Sequence, residues 1–232
     1  MPSKKKTFRQ KLKQWIIYSI LLIIVATSVL VILLGFLPIN TSSFMIQRHI
    51  ADFNADKGFI SIEQQWTKRD DISPHIFSAV VAAEDQLFYQ HFGFDLNSIY
   101  AALKNNSSGG KLRGASTISQ QVAKNLFLSS SRSFWRKGFE AWFTILIELF
   151  WSKERTLLVY VNIAELGDHI YGVEAASQHY FGIPASKLSP QQAALLAASL
   201  PNPAIFIVDR PNKRLLDKQQ WILQQMRNLN YL

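Results

Sequence analysis

Thirty-four consecutive residues without a charged side chain separate Lys13 from Arg48, and no other feature of the 232-residue chain restricts its folding as strongly. Within that run, Ile16 to Leu37 is apolar apart from Tyr18, Ser19, Thr27, Ser28 and Gly35. Coiled as a helix at about 1.5 Å per residue it extends roughly 33 Å, close to the ~30 Å of a bilayer's hydrocarbon core. A water-soluble domain of this size rarely buries so long a charge-free run. Trp15 and Tyr18 stand at the level of an interfacial belt, and Pro38 and Asn40 close the far end. Lys4, Lys5, Lys6, Arg9, Lys11 and Lys13 precede the run and no charge follows it immediately, which predicts a cytoplasmic N-terminus with the bulk of the chain outside. A cleaved signal peptide is the rival, but the run exceeds the usual apolar region of such peptides and no Ala-x-Ala site follows. The expected organisation is a basic tail (1–14), a transmembrane anchor (15–38), a membrane-proximal linker (39–71) and a body (72–232).

The charge follows the same division. Lys and Arg number 25 against 16 Asp and Glu, a net +9, and every acid lies at or beyond Asp52. Removing the six N-terminal bases leaves 19 against 16, an ordinary surplus of +3. The basic character therefore belongs to the tail, and no nucleic acid is expected as a partner. The absence of cysteine excludes disulfide scaffolds, thiolate metal sites and cysteine nucleophiles. With 48% apolar residues and 12% aromatics the chain is too rich to be disordered, and the body is long enough for one sizeable core.

That body reads as mostly α. Ser73 and Pro74 form a cap and first helical position, followed by Ile76, Phe77, Val80, Val81, Leu87 and Phe88 at helical spacing. Asp95 caps a second helix, and Asn105–Gly110 reads as a polar loop. Ser116 is placed as the start of a third helix, Thr117–Phe127. Ser133 opens a long fourth (Phe134–Trp151) and Ser152 a fifth, through Val161. Val173–Tyr180, Pro190–Ser199 and Lys213–Leu229 complete the set. Residues 41–71 are nearly silent, with short strands expected near Phe59–Ile62.

The chemistry is signalled by polar residues that break this pattern. Glu84 falls within the apolar stripe of its helix, among Val80, Val81, Leu87 and Phe88. A carboxyl against apolar neighbours favours its protonated form and can exchange a proton near neutral pH. The alternative is a carboxylate at the stripe's margin, reaching water or a buried base. Glu140 lies on an otherwise greasy helix in a narrow polar line, Arg136–Glu140–Thr144–Glu148, with Lys137 three residues before it. Those cations favour its ionised form. As structure alone this is a helix-surface ion pair, worth only ~0.3–0.5 kcal/mol. The line also suits the wall of a cleft, and two acids in opposed surroundings are the pattern of an acid/base pair.

A third element begins after Arg113-Gly114-Ala115. Thr117, Gln121 and Lys124 share one polar helix face, and Ser116 and Arg113 add donors around a helix N-terminus, a combination suited to phosphate oxygens. A simple capped amphipathic helix would look the same. Arg132, Arg136 and Lys137 supply three further cations within a short stretch. On a tethered body outside the membrane, these signals together point to a substrate with sugar, phosphate and lipid parts.

Five ordered motifs then resemble the peptidoglycan glycosyltransferases, glycosyltransferase family 51. They are Glu84-Asp85-Gln86-x-Phe88-x-x-His91-x-Gly93-x-Asp95; Gly114-Ala115-Ser116-Thr117-Ile118-Ser119-Gln120-Gln121 running into Lys124-Asn125; Arg136-Lys137-x-x-Glu140; Lys153 with Leu157-x-x-Tyr160-Val161-Asn162; and Gly172-Val173-x-Ala175-Ala176 with Tyr180-Phe181-Gly182. The short length and the stretch Asn162–Asp168 look like the monofunctional biosynthetic transglycosylases of Gram-negative bacteria. Ser119, Thr156 and Val161 depart mildly from the family pattern.

The resemblance implies a lysozyme-like helical fold and processive, inverting polymerisation of lipid II. In that family Glu84 would be the general base and Glu140 the second essential carboxylate. Lys124, Arg132, Arg136 and Lys137 match or adjoin cations that hold pyrophosphate, Arg113 and Asn125 join them as substrate-binding residues, and Ser116, Thr117 and Gln121 would shape the cleft. Asp85, His91 and Asn162 read equally well as structural hydrogen-bond partners. The sequence itself requires no cofactor; a divalent cation (Mg or Mn) at the pyrophosphate is implied as a helper. The implied partners are lipid II, the growing glycan, the bacterial inner membrane and other cell-wall synthesis or division proteins, with the catalytic domain periplasmic. Ser108-x-x-Lys111 and Ser3-x-x-Lys6 lack the companion motifs of a penicillin-binding transpeptidase, so no such activity is expected. A lytic glycan-cleaving enzyme and a non-catalytic membrane-anchored scaffold are the competing readings; the cation cluster counts against the first, since hydrolysis needs no pyrophosphate site.

Overall fold

A computed structural model describes residues 7–107, 116–131 and 133–231, which form two compact units divided between Leu37 and Pro38. The first unit is one helix, α1 (Phe8–Leu34). It starts ahead of the apolar run because Thr7 and Gln10 form a reciprocal capping box, and it stops at Gly35. It is long and apolar enough to cross a membrane, the one such helix among the described residues.

The second unit is mostly helical. α3 (Pro74–Glu84) is its central rod, burying Ile76, Phe77, Val80 and Val81. The alanine-rich α9 (Pro190–Ser199) lies against both α3 and α10 (Lys213–Asn228), because its small side chains permit close approach. On another side α7 (Lys153–Ile163) packs against α3 and against α5 (Ile118–Phe127), and α5 packs on α6 (Phe134–Phe150). α8 (Val173–Phe181) follows Gly172, whose φ of +82° and whose approach to the Asn162 carbonyl leave no room for a side chain. Ser133, Ser152 and Ser189 accept hydrogen bonds from the third backbone N–H of their helices, as their positions before apolar runs predict.

Two elements depart from the sequence expectation. Residues 43–54 form α2 (Ser43–Asn54), capped by Ser42, and its faces are mixed: Ile46, Ile50 and Phe53 face outward while Asp52 is buried along with Met45. The strand lies at β1 (Glu63–Gln64), just beyond Phe59–Ile62, and pairs in parallel with β3 (Ile170–Tyr171), which also pairs with β2 (Glu165–Gly167). Asp52 accepts a hydrogen bond from His169 at 2.6 Å, tying α2 to this small sheet. α4 (Leu96–Ser107) also continues through the first half of the expected loop.

Candidate active site

The last residue of α3 is Glu84, so the central rod delivers a carboxylate to the edge of the core. The chain turns there because Asp85 takes the cap position. Glu84 opens on a cleft of about 550 Å³ lined also by Asp95, Ser98, Ser116, Thr117 and Trp221. Its immediate partners are polar, which matches the alternative of a carboxylate at the stripe's margin reaching a base rather than the fully apolar setting. Gln121 Nε2 donates to Glu84 Oε2 at 3.0 Å, and the Lys218 ammonium lies 3.7 Å from Oε1. The helical stripe places Glu84 beside apolar residues of its own helix, but α5 and α10 supply the groups that meet its oxygens. The side chain is 14% exposed and that of Lys218 25%. Burial pulls the Lys218 ammonium below the ordinary lysine range, opposed by Glu84.

Asp85 does different work. Its carboxylate is buried, accepts the Ile118 backbone N–H at 3.0 Å, and meets His91 Nε2 at 3.0 and 3.1 Å. Thr117, not Ser116, caps α5, in a reciprocal box with Gln120, and its hydroxyl donates to the Gly93 carbonyl. The helix N-terminus expected to receive a phosphate is therefore engaged by Asp85 and by its own cap. Ser116 is exposed at the cleft, whereas Thr117 is buried. Asn162 hydrogen-bonds to Thr67 through both its side-chain oxygen and nitrogen, a structural clamp.

The polar line of α6 also faces inward. Glu140 is 3% exposed, with Arg136 Nη1 at 2.6 Å from one oxygen and Lys137 Nζ against the other. Thr144 is buried, and Glu148 accepts from Ser119 and from Lys153, the latter at 2.8 Å. What α6 turns outward is its grease: Phe134, Trp135, Phe139, Leu149 and Phe150, with Phe134 98% exposed. The expected cleft wall is an internal seam whose N-terminal end surfaces at a hollow of about 390 Å³ lined by Ser133, Phe134, Arg136 and Lys137. Arg136 retains a buried Nε–H with no partner among the described residues.

Lys124 links the two regions electrostatically. Burial pulls its ammonium below the ordinary lysine range; Glu140 and Glu84 oppose that shift, whereas Arg136 and Lys137 add to it. Its charge thus acts on both carboxylates and on the cation pair. Asn125 is half-buried and makes no side-chain hydrogen bond among the described residues. Arg113 and Arg132 lie outside the described residues, as does Ser108–Lys111. Among the described residues no three His, Asp or Glu side chains converge as a metal-holding group.

Sequence reasoning missed two groups beside Glu84. Lys218 sits on an amphipathic helix with no local motif to distinguish it. Tyr160 falls in a motif quoted above, yet a tyrosine in an apolar run signals core; its hydroxyl reaches Gln121 Oε1 at 2.9 Å.

The transglycosylase family profile matches residues 55–227. Proteins named biosynthetic peptidoglycan transglycosylase are similar along nearly their whole length. The one from Ectopseudomonas mendocina (strain ymp) is 50% identical over 207 residues, covering 89% of this chain and 85% of the relative. The one from Shewanella oneidensis (strain MR-1) is 48% identical over 215 residues, covering 93% and 91%.

Proposed function

The chain belongs to the transglycosylase family, and from that premise we propose that it polymerises lipid II into peptidoglycan glycan strands with Glu84 as general base. Glu84 takes the proton from the 4-hydroxyl of the acceptor's GlcNAc. The freed oxygen forms a bond to C1 of the MurNAc at the reducing end of the growing chain, with inversion. The C1–oxygen bond to undecaprenyl pyrophosphate breaks, and the electron pair leaves on the pyrophosphate. Charge accumulates on that leaving group, so preorganised cations stabilise the transition state most there. Lys124, Arg136 and Lys137 are assigned that work, with Glu140 holding the last two in place. Gln121 orients the base, and Ser116 lines the acceptor side.

One observation carries the reading: Gln121 Nε2 donates to Glu84 Oε2 at 3.0 Å, so the helix that holds the proton acceptor also carries Lys124, whose electrostatic neighbours include Glu140, Arg136 and Lys137. The unpartnered Nε–H of Arg136 supports an anion there. Among the described residues no three His, Asp or Glu side chains converge to hold a divalent cation, so a Mg or Mn helper would be carried by the pyrophosphate itself. The outward apolar face of α6 supports a body resting on the bilayer that holds its lipid-linked substrate. The N-terminal bases support a cytoplasmic tail and a periplasmic body.

The test is polymerisation of labelled lipid II by the full chain. A glycan ladder is expected, and Glu84→Gln lowers turnover about 10²–10⁴-fold, the usual worth of a general base. Breakdown of preformed glycan without polymerisation would install the lytic reading. Undiminished activity in Glu84→Gln would remove the base.

A further inference from the structure

The transfer chemistry gives Tyr160 nothing to do, yet its hydroxyl is buried one residue away from the base. It lies on α7, 2% exposed, and donates to Gln121 Oε1 at 2.9 Å. Gln121 in turn donates from Nε2 to Glu84 Oε2 at 3.0 Å. Three side chains from three helices thus form one line: hydroxyl, amide, carboxylate.

We propose that Tyr160 is a positioning residue that braces Gln121, and through it keeps the Glu84 carboxylate open to the cleft rather than closed onto Lys218. This rests on the reading of Glu84 as the base. The geometry shows a contest for the carboxylate. Lys218 stands 3.7 Å from Oε1, well beyond the ~2.7–2.9 Å of a charge-assisted hydrogen bond. Gln121 holds the other oxygen at ordinary hydrogen-bond distance. A carboxylate free to rotate at the end of a helix would close the remaining gap to the ammonium. A tight ion pair there would stabilise its charge and make it a poorer proton acceptor.

Gln121 can resist that closure only while its amide is fixed. An unbraced amide can turn away from Glu84, and its Oε1 would be left without a donor in a half-buried place. The tyrosine meets that need without carrying charge. Burial, and secondarily the charge of Glu84, push its hydroxyl well above the usual tyrosine range, so it remains a donor throughout the range in which enzymes work.

The test is a kinetic cycle on the full chain with lipid II. Tyr160→Phe keeps the buried ring and removes the hydroxyl; kcat is expected to fall about tenfold, the worth of one hydrogen bond, with KM within about twofold. Gln121→Met keeps the length of the side chain and removes both amide groups. In that background Tyr160→Phe should change kcat by less than about twofold, because the brace has nothing left to hold. The proposal is overturned if Tyr160→Phe alone leaves kcat unchanged, if it raises only KM, or if its effect multiplies in full on Gln121→Met. Glu84→Gln run alongside separates the two claims: its inactivity together with an unaffected Tyr160→Phe sinks the brace alone, whereas its activity sinks the base.

Discussion

Glu84 and Asp85 are adjacent acids, and the fold uses them in opposite ways, so replacing them should give opposite signatures. Asp85 is 7% exposed and is the acceptor for the Ile118 backbone N–H and for His91. Asp85→Ala leaves one buried and one largely buried donor without partners at ~1–3 kcal/mol each, a loss of about 2–6 kcal/mol. For a domain of this size that lowers the melting temperature on the order of 10 °C. Asp85→Asn keeps an oxygen for Ile118. Burial already pushes the Asp85 carboxyl above the usual aspartate range against its hydrogen bonds, so losing the charge costs about 1 kcal/mol or less. Turnover in Asp85→Ala should also fall, because Ile118 begins the helix that carries Gln121 and Lys124. Thermal unfolding of the full chain in detergent, followed by circular dichroism, measures the first effect. Melting of Asp85→Ala within about 2 °C of wild type, or equal damage from Asp85→Asn, would refute the assignment.

Two further outcomes can be checked together. Gly172→Ala places a Cβ 2.5 Å from the Asn162 carbonyl oxygen at φ +82°, so it should cost ~2–4 kcal/mol in thermal unfolding; Gly138→Ala, on α6 with open space around it, should add ~0.5–1 kcal/mol instead. Burial depresses the ammonium of Lys124, so kcat/KM should fall on the alkaline side at a lower pH than an ordinary lysine allows, and Lys124→Arg should move that limb upward. A limb that moves only in Lys218→Arg, the other depressed lysine, would transfer the role.

The parts of the fold legible in the sequence are those where apolar period and cap agree. Ser133, Ser152 and Ser189 each stand before an apolar run and each caps its helix. α2 was hidden because its faces are mixed, with Ile46, Ile50 and Phe53 outward and Asp52 inward along with Met45. Strands of two or three residues have no period to read. The polar line of α6 was visible, but not its direction: a helix apolar around most of its girth, burying Phe143, Leu146 and Ile147 and exposing Phe134, Trp135 and Phe139, has no fixed inside until its neighbours are known. The candidate site was legible in its charged members, Glu84, Glu140, Lys124, Arg136 and Lys137. It was illegible in Lys218, which comes from a distant helix and lacks any local signal, and in Tyr160, whose motif sits in an apolar run that reads as core. The engagement of the α5 N-terminus by Asp85 was equally hidden, since that contact spans more than thirty residues.

The outward face of α6 has a practical consequence for handling the protein. Cutting the chain after Leu37 would remove the long apolar helix and still leave Phe134, Trp135, Phe139, Leu149 and Phe150 bare. The trimmed body would behave as an amphiphile in its own right, collecting surfactant or clumping at modest concentration, and its solubility would hinge on that one helix more than on the severed tail.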